Sequence, residues 1–124
     1  MEMQFYRCSV CGQMIAIVKK TGAPVMCCGK PMEQITPNTV DAAGEKHVPV
    51  WEFDGSKVLV TVGEVEHPMT EEHYIEWVAL KSKLGNQRKA LKPGDAPKVC
   101  FTVCEGDEVE AVFAYCNLHS LWQG

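Results

Sequence analysis

Of the eleven cysteine and histidine side chains of this chain, donors of the kind that bind transition metals, nine fall by their spacing into two sets. The first is all sulfur: Cys8-Ser-Val-Cys11 followed by the adjacent pair Cys27-Cys28. Two residues between Cys8 and Cys11 let both sulfurs leave one tight turn toward the same ion, and Gly12 permits that turn. Four thiolates select zinc or iron, and the spacing does not separate a plain zinc staple from an iron centre. Neighbouring side chains normally diverge, so convergence of Cys27 and Cys28 on one ion should distort the tetrahedron.

The second set mixes imidazole with one thiolate. His67 and His73 bracket a single loop, Cys116-Asn117-Leu118-His119 is a Cys-x2-His turn directly after a strand, and His47 begins another strand just before Val48 and Pro49. A lone histidine is usually a hydrogen-bonded surface residue, but strand ends are where a sandwich gathers its loops, so one metal can collect all five. Four imidazoles and a thiolate exceed the four ligands of structural zinc. They suit iron with one octahedral position open, and a thiolate opposite that position makes the metal electron-rich, the device that haem thiolate enzymes also use. Such a centre suits reduction of a small oxygen species.

These donors need elements to hold them. Residues 1–36 read as short strands punctuated by Gly12, Gly22, Pro24, Gly29 and Pro31, a unit too small to bury a sufficient core without a staple. Thr36 to Gly44 is polar and reads as a linker or long loop. Beyond it the pattern is β. Val48–Phe53 and Lys57–Val62 flank Asp54-Gly55, a type I′ hairpin signal. Tyr74–Leu80, Gln87–Leu91, Lys98–Cys104 and Val109–Tyr115 follow, which predicts an antiparallel sandwich of six or seven strands with Greek-key connections. The one helical turn expected is at Glu71-Glu72, capped by Thr70. Trp51, Trp77 and Val60 are expected in the core or an interface.

Composition narrows the function. The chain has 124 residues, 46% hydrophobic and 23% charged, as in ordinary globular proteins. A net charge of -4 without a basic block argues against nucleic acid as a partner. No apolar run approaches the roughly 18 residues of a membrane span. The early stretch Met14–Val18 is too short for a signal-peptide core, so a cytoplasmic location is expected. Seven cysteines, four of them crowded before residue 29, fit metal binding in a reducing compartment better than disulfides.

The motifs taken together resemble one family. Glu45-Lys46-His47-Val48-Pro49, His67-Pro68-Met69, His73-Tyr74-Ile75-Glu76-Trp77, Leu91-Lys92-Pro93-Gly94-Asp95-Ala96-Pro97 and Cys116-Asn117-Leu118-His119 are similar to successive motifs of desulfoferrodoxin, and Cys8, Cys11, Cys27 and Cys28-Gly29 resemble its desulforedoxin-like domain. The resemblance spans almost the whole chain in order. It implies an all-β protein: a small desulforedoxin-like Fe(Cys)4 domain over 1–36 and an immunoglobulin-like antiparallel β-sandwich over 37–124. It implies two irons per chain, one on Cys8, Cys11, Cys27 and Cys28, the other a square-pyramidal Fe(His)4Cys centre on His47, His67, His73, His119 and Cys116. It further implies reduction of superoxide to hydrogen peroxide without release of dioxygen, Glu45 as a ligand of the oxidised iron, Lys46 near the vacant position, a homodimer, and a rubredoxin-like electron donor. The rival readings are a non-enzymatic metal or electron-transfer module, and dismutation, which an electron-rich iron disfavours. Cys100 and Cys104 lie outside the motifs. On one extended strand they would stand ~13 Å apart, beyond disulfide reach, and small buried hydrophobes are the expectation for both.

Overall fold

The computed structural model describes residues 2–124, and nearly every regular element in it is a short antiparallel strand. Contacts divide the chain into a unit ending at Thr36 and a unit Pro37–Gly124.

In the first unit β1 (Phe5–Arg7) lies between β2 (Met14–Ala16) and β5 (Glu33–Ile35), while β3 (Met26–Cys27) and β4 (Lys30–Pro31) form a separate hairpin. Gly, Pro and Cys interrupt the sequence too often for longer strands. Among the described residues of this unit, only Phe5, Cys8 and Met32 are buried hydrophobics. Three such residues do not offset the entropy of ordering the rest, so the unit depends on a cross-link.

The second unit is a sandwich of two antiparallel sheets. One has the order β10-β7-β6, with β6 at Pro49–Phe53, β7 at Lys57–Val62 and β10 at Lys98–Thr102. The other has the order β12-β11-β8-β9, with β8 at Ile75–Ser82, β9 at Gly85–Ala90, β11 at Val109–Cys116 and β12 at Ser120–Gln123. Alternation directs side chains inward: Val58, Val60 and Val62 from β7 meet Val78, Leu80 and Val112 in the core, while Leu59 is 55% exposed on the outer face. At the end of β8, Ser82 Oγ donates to Asp107 Oδ2 at 2.7 Å.

Several expectations need correction. Among the described residues the one helical turn, α1, is at Gly44–His47, so His47 closes a helix and does not begin a strand. Residues 70–73 form a bend: the Thr70 hydroxyl accepts the His73 N–H at 3.2 Å, capping a turn that never becomes helical. The β6–β7 connection is a hairpin, but Gly55 alone has positive φ, which rules out type I′; the Asp54 carboxylate closes the loop by accepting the N–H groups of Ser56 and Lys57 at 2.9 and 2.7 Å. β12 lies outside every predicted strand. Trp51 is 37% exposed, so it is no core residue, whereas Trp77 is buried and stacks on Tyr115 with ring centroids 5.5 Å apart. Cys104 is exposed and Cys100 half-buried; neither is a buried hydrophobe, and neither is in a disulfide.

Candidate metal centres

The first donor cluster is built by two turns. Cys8 directly follows β1, and the chain folds back so that Gly12 N–H donates to the Cys8 carbonyl at 3.0 Å with Gly12 at φ 81°. The same turn aims the N–H groups of Val10 and Cys11 at Cys8 Sγ, at 3.4 and 3.5 Å. The adjacent pair converges because Cys28 takes a left-handed backbone, φ 52°, followed by Gly29 at φ 74°. A non-glycine residue rarely adopts that conformation, so the convergence costs backbone strain. Cys11 and Cys27 sulfurs approach to 3.7 Å, and all four sulfurs lie within 4.8 Å of one another.

Charge shows what the cluster lacks. The Cys11 and Val10 amides pull the Cys8 thiol down to about 6, whereas hydrogen bonds shared with Cys8 and Cys11 push Cys27 up to about 12, and Cys28 is also raised, chiefly through Cys11. One thiolate forms readily and then opposes the others. A cation at the centre removes that opposition, and four soft sulfurs fit zinc or iron.

The second cluster lies at one end of the sandwich. His47 comes from α1, His67 from the loop after β7, His73 from the bend before β8, Cys116 from the last position of β11, and His119 from the turn into β12. Ring centroids are 4.6 Å apart for His47–His67, 4.5 Å for His67–His73, 5.1 Å for His73–His119 and 4.8 Å for His119–His47, with a His47–His73 diagonal of 6.2 Å. Neighbouring rings are turned 74–90° to each other. Four imidazoles therefore stand at the corners of a folded square like the vanes of a pinwheel. The nitrogens point inward: His47 Nε2 is 3.2 Å from His67 Nε2 and 3.1 Å from His119 Nδ1. Cys116 Sγ, fully buried, is 3.8 Å from His119 Nδ1. The ligand atoms of His47, His67, His73 and Cys116 lie within 4.8 Å of one another.

Two of the rings are fixed from behind. His47 Nδ1 donates to the Ala43 carbonyl and His67 Nδ1 to the Pro68 carbonyl, each at 2.7 Å, which leaves both Nε2 atoms as lone-pair donors. Burial is the main cause that holds His47 and His73 below the ordinary imidazole range and His67 down at about 4; the other rings add to it. Burial likewise raises the Cys116 thiol, against the Leu118 and His119 N–H groups, which lower it. His73 Nε2 is buried with no hydrogen-bond partner. Neutral imidazoles with inward lone pairs, an orphaned nitrogen and a sulfur form a donor set that a borderline metal such as iron completes.

Glu45 and Lys46 are exposed on α1 immediately before His47. The Lys46 charge is felt at both His47 and His73, lowering each. Three residues near the cluster carried no functional weight in the sequence. Trp122 lies 4.9 Å from His47 between ring centroids and donates its Nε1–H to the His119 carbonyl at 2.9 Å. A Cβ on Gly63 would meet the Glu45 and Val48 carbonyl oxygens at 2.8 and 2.9 Å, so glycine alone lets that loop pass beneath α1. Asn117 bonds across to the segment around His73. Only Asn117 had a sequence signal, its place between Cys116 and His119.

Residues 39–124 match the family model for desulfoferrodoxin and residues 1–35 that for the desulfoferrodoxin N-terminal domain. The chain is 50% identical over 121 residues to a desulfoferrodoxin homolog of Archaeoglobus fulgidus, covering 98% of this chain and 95% of the relative. It is 36% identical over 103 residues to a superoxide reductase of Pyrococcus abyssi, covering 67% and 87%. The crystal structure of the superoxide reductase from Treponema pallidum superposes with a TM-score of 0.85 at 40% identity, covering 100% of this chain and 99% of that one.

Proposed function

The chain belongs to the desulfoferrodoxin family, and from that membership we infer that it is a superoxide reductase, an oxidoreductase with two irons per chain. Its net reaction joins superoxide, one electron and two protons into hydrogen peroxide. The observation that carries this reading is the pinwheel of four imidazoles with its orphaned His73 nitrogen and the buried Cys116 sulfur. His47, His67, His73, His119 and Cys116 hold the reactive iron, and Cys8, Cys11, Cys27 and Cys28 hold the second. When bound, iron supplies the one-electron chemistry that no side chain here can provide.

The chain's own residues do the rest. The Ala43 and Pro68 carbonyls keep two rings in the tautomer that presents Nε2. The Leu118 and His119 N–H groups stabilise charge on the Cys116 sulfur and so temper its donation. Glu45 and Lys46 are the catalytic side chains. Lys46, whose field reaches two of the rings, offsets the repulsion between an anionic substrate and a chain of net charge -4. Glu45, exposed on the same helical turn, would offer a carboxylate to an oxidised iron held there. Water delivers the protons.

Pulse radiolysis of the iron-loaded protein with a reduced rubredoxin tests this reading. One peroxide formed and one donor electron consumed per superoxide, with no dioxygen, is the expected result; one dioxygen per two superoxides would establish dismutation instead. In the same experiment Lys46→Ala should slow the second-order reaction about threefold to about a hundredfold, the span for a unit charge ~6 Å away between aqueous and interior screening. Salt should slow the wild type more than the variant. Glu45→Ala should not slow capture. Identical rates and salt slopes for wild type and Lys46→Ala would remove Lys46 from the reaction.

The protein works in the cytoplasm as a homodimer supplied by a rubredoxin-like donor. Support for the location comes from the commitment of five of the seven cysteines to metal clusters, which suits a reducing compartment. For the donor, it comes from Leu118, 59% exposed on the turn between Cys116 and His119, an apolar contact beside the reactive centre. For the dimer, it comes from the outer face of the β10-β7-β6 sheet. Val50, Leu59, Thr61 and Cys100 line a shallow groove of ≈ 620 Å³ there, and Glu52 and Lys98, opposite in charge, stand on its two edge strands. A two-fold axis can set that face against its copy and pair the charges. Sedimentation equilibrium should give twice the chain mass, and Leu59→Glu should yield monomer. A monomeric wild type would overturn the dimer.

A further inference from the structure

Each ligand ring of the pinwheel needs a device to aim it, and the devices differ. His47 and His67 are held through their rings, by Nδ1 bonds to main-chain carbonyls. His119 lies within its own tight turn, between the Cys116 sulfur at 3.8 Å and the Trp122 indole that binds its carbonyl. Among the described residues the His73 ring has no hydrogen bond at all, and its Nε2 is buried and orphaned. Any hydrogen-bonded support for His73 therefore acts on its backbone.

Asn117 does so from the opposite strand end. Its Oδ1 accepts the Tyr74 N–H at 3.0 Å, its Nδ2 donates to the Glu72 carbonyl at 3.0 Å, and its own N–H donates to the Tyr74 carbonyl at 3.2 Å. The two side-chain bonds grip the residues on either side of His73. On the third side the bend is closed by Thr70, whose hydroxyl and carbonyl both accept the His73 N–H at 3.2 Å. The ladder between β8 and β11 ends irregularly, with Cys116 opposite Ile75 after a register shift, so regular strand pairing cannot reach Glu72. A primary amide presents one acceptor and one donor, as a peptide group does, and Asn117 continues the ladder with its side chain where the main chain no longer can.

We propose that Asn117 is the positioning residue for His73: it ties the His73 backbone to the turn that carries Cys116 and His119, so that three donors move as one body. The inference rests on reading the cluster as the iron centre described above. Losing an outer support of this kind costs metal sites about 10–100-fold in affinity.

The test uses the two-iron protein and measures transfer of iron to an external chelator, with the iron on Cys8, Cys11, Cys27 and Cys28 as the internal reference. Asn117→Ala should lose its sandwich iron about 10–100-fold faster than wild type, with an altered thiolate-to-iron absorption band and an unchanged four-sulfur site. Asn117→Asp keeps the acceptor for Tyr74 but sets oxygen against the Glu72 carbonyl; it should show a smaller acceleration, and it carries the test if the alanine variant does not fold. Ser82→Ala removes a buried hydrogen bond at the other end of β8 and should lower the melting temperature without changing iron release. If both Asn117 variants release iron at the wild-type rate with the wild-type band, or if Ser82→Ala accelerates release equally, Asn117 is only structural and the inference fails. A wild type with no iron in the sandwich would instead overturn the function proposed above.

Discussion

Replacing Cys116 with serine is expected to leave a folded sandwich that has lost its visible charge-transfer band and reduces superoxide at least about a hundredfold more slowly. The size follows from rank: supports behind a ligand already cost about 10–100-fold, and Cys116 supplies the centre's only sulfur. The residue is fully buried at the last position of β11, so the smaller serine fits without disturbing the core. Chemistry changes far more than shape. A serine oxygen is harder and less donating than a thiolate, so colour, potential and rate should all move. The Leu118 and His119 amides would then face a hydroxyl, and their tuning of a sulfur would be lost. A variant that kept iron, colour and rate would exclude Cys116 as a ligand.

The second large effect is expected at the other cluster. Cys8→Ser should reduce the iron content from two per chain to one and leave residues 2–36 without protection from hydrogen exchange, while residues 37–124 keep theirs. Structural zinc in small modules contributes about 10–16 kcal/mol, more than so few buried residues can replace. Cys8 is also the sulfur that gathers the Val10 and Cys11 amides, so its loss weakens the turn as it removes the ligand. The sandwich has a core of its own and should still consume one equivalent of superoxide when chemically reduced beforehand. Loss of that single turnover with the second iron intact would show that the two centres do not act separately. Retained protection in residues 2–36 would show that their fold needs no metal.

How far the sequence could be read depended on the range of the signal. β7 shows in the alternation of Val58, Val60 and Val62, and its bounds match the expected ones because that pattern is local. β12 does not show, since Ser-Leu-Trp-Gln is too short to alternate and becomes a strand only by pairing with β11. α1 was hidden for a related reason. Gly44 and His47 are poor helix formers, and the turn exists because His47 reaches back to the Ala43 carbonyl and Val65 N–H donates to the Glu45 carbonyl. At the clusters, donor type and spacing were visible in the residues. The left-handed Cys28, Trp122 against His47 and the grip of Asn117 were not, because each depends on tertiary placement.

The close passage at Gly63 has a further consequence. Glycine brings the loop after β7 into direct main-chain contact with α1, where Val65 N–H donates to the Glu45 carbonyl at 2.8 Å, and the loop closes on itself as His67 N–H donates to the Val62 carbonyl of β7 at 2.8 Å. His47 and His67 stand twenty positions apart in the chain but hang from one bracket of backbone. A main-chain opening that breaks the Val65–Glu45 bond would loosen the mounting of both rings at once, while each ring keeps its own Nδ1 bond, to Ala43 and to Pro68. With iron bound, a route of loss in which the backbone of one of these two imidazoles moves away alone would be disfavoured.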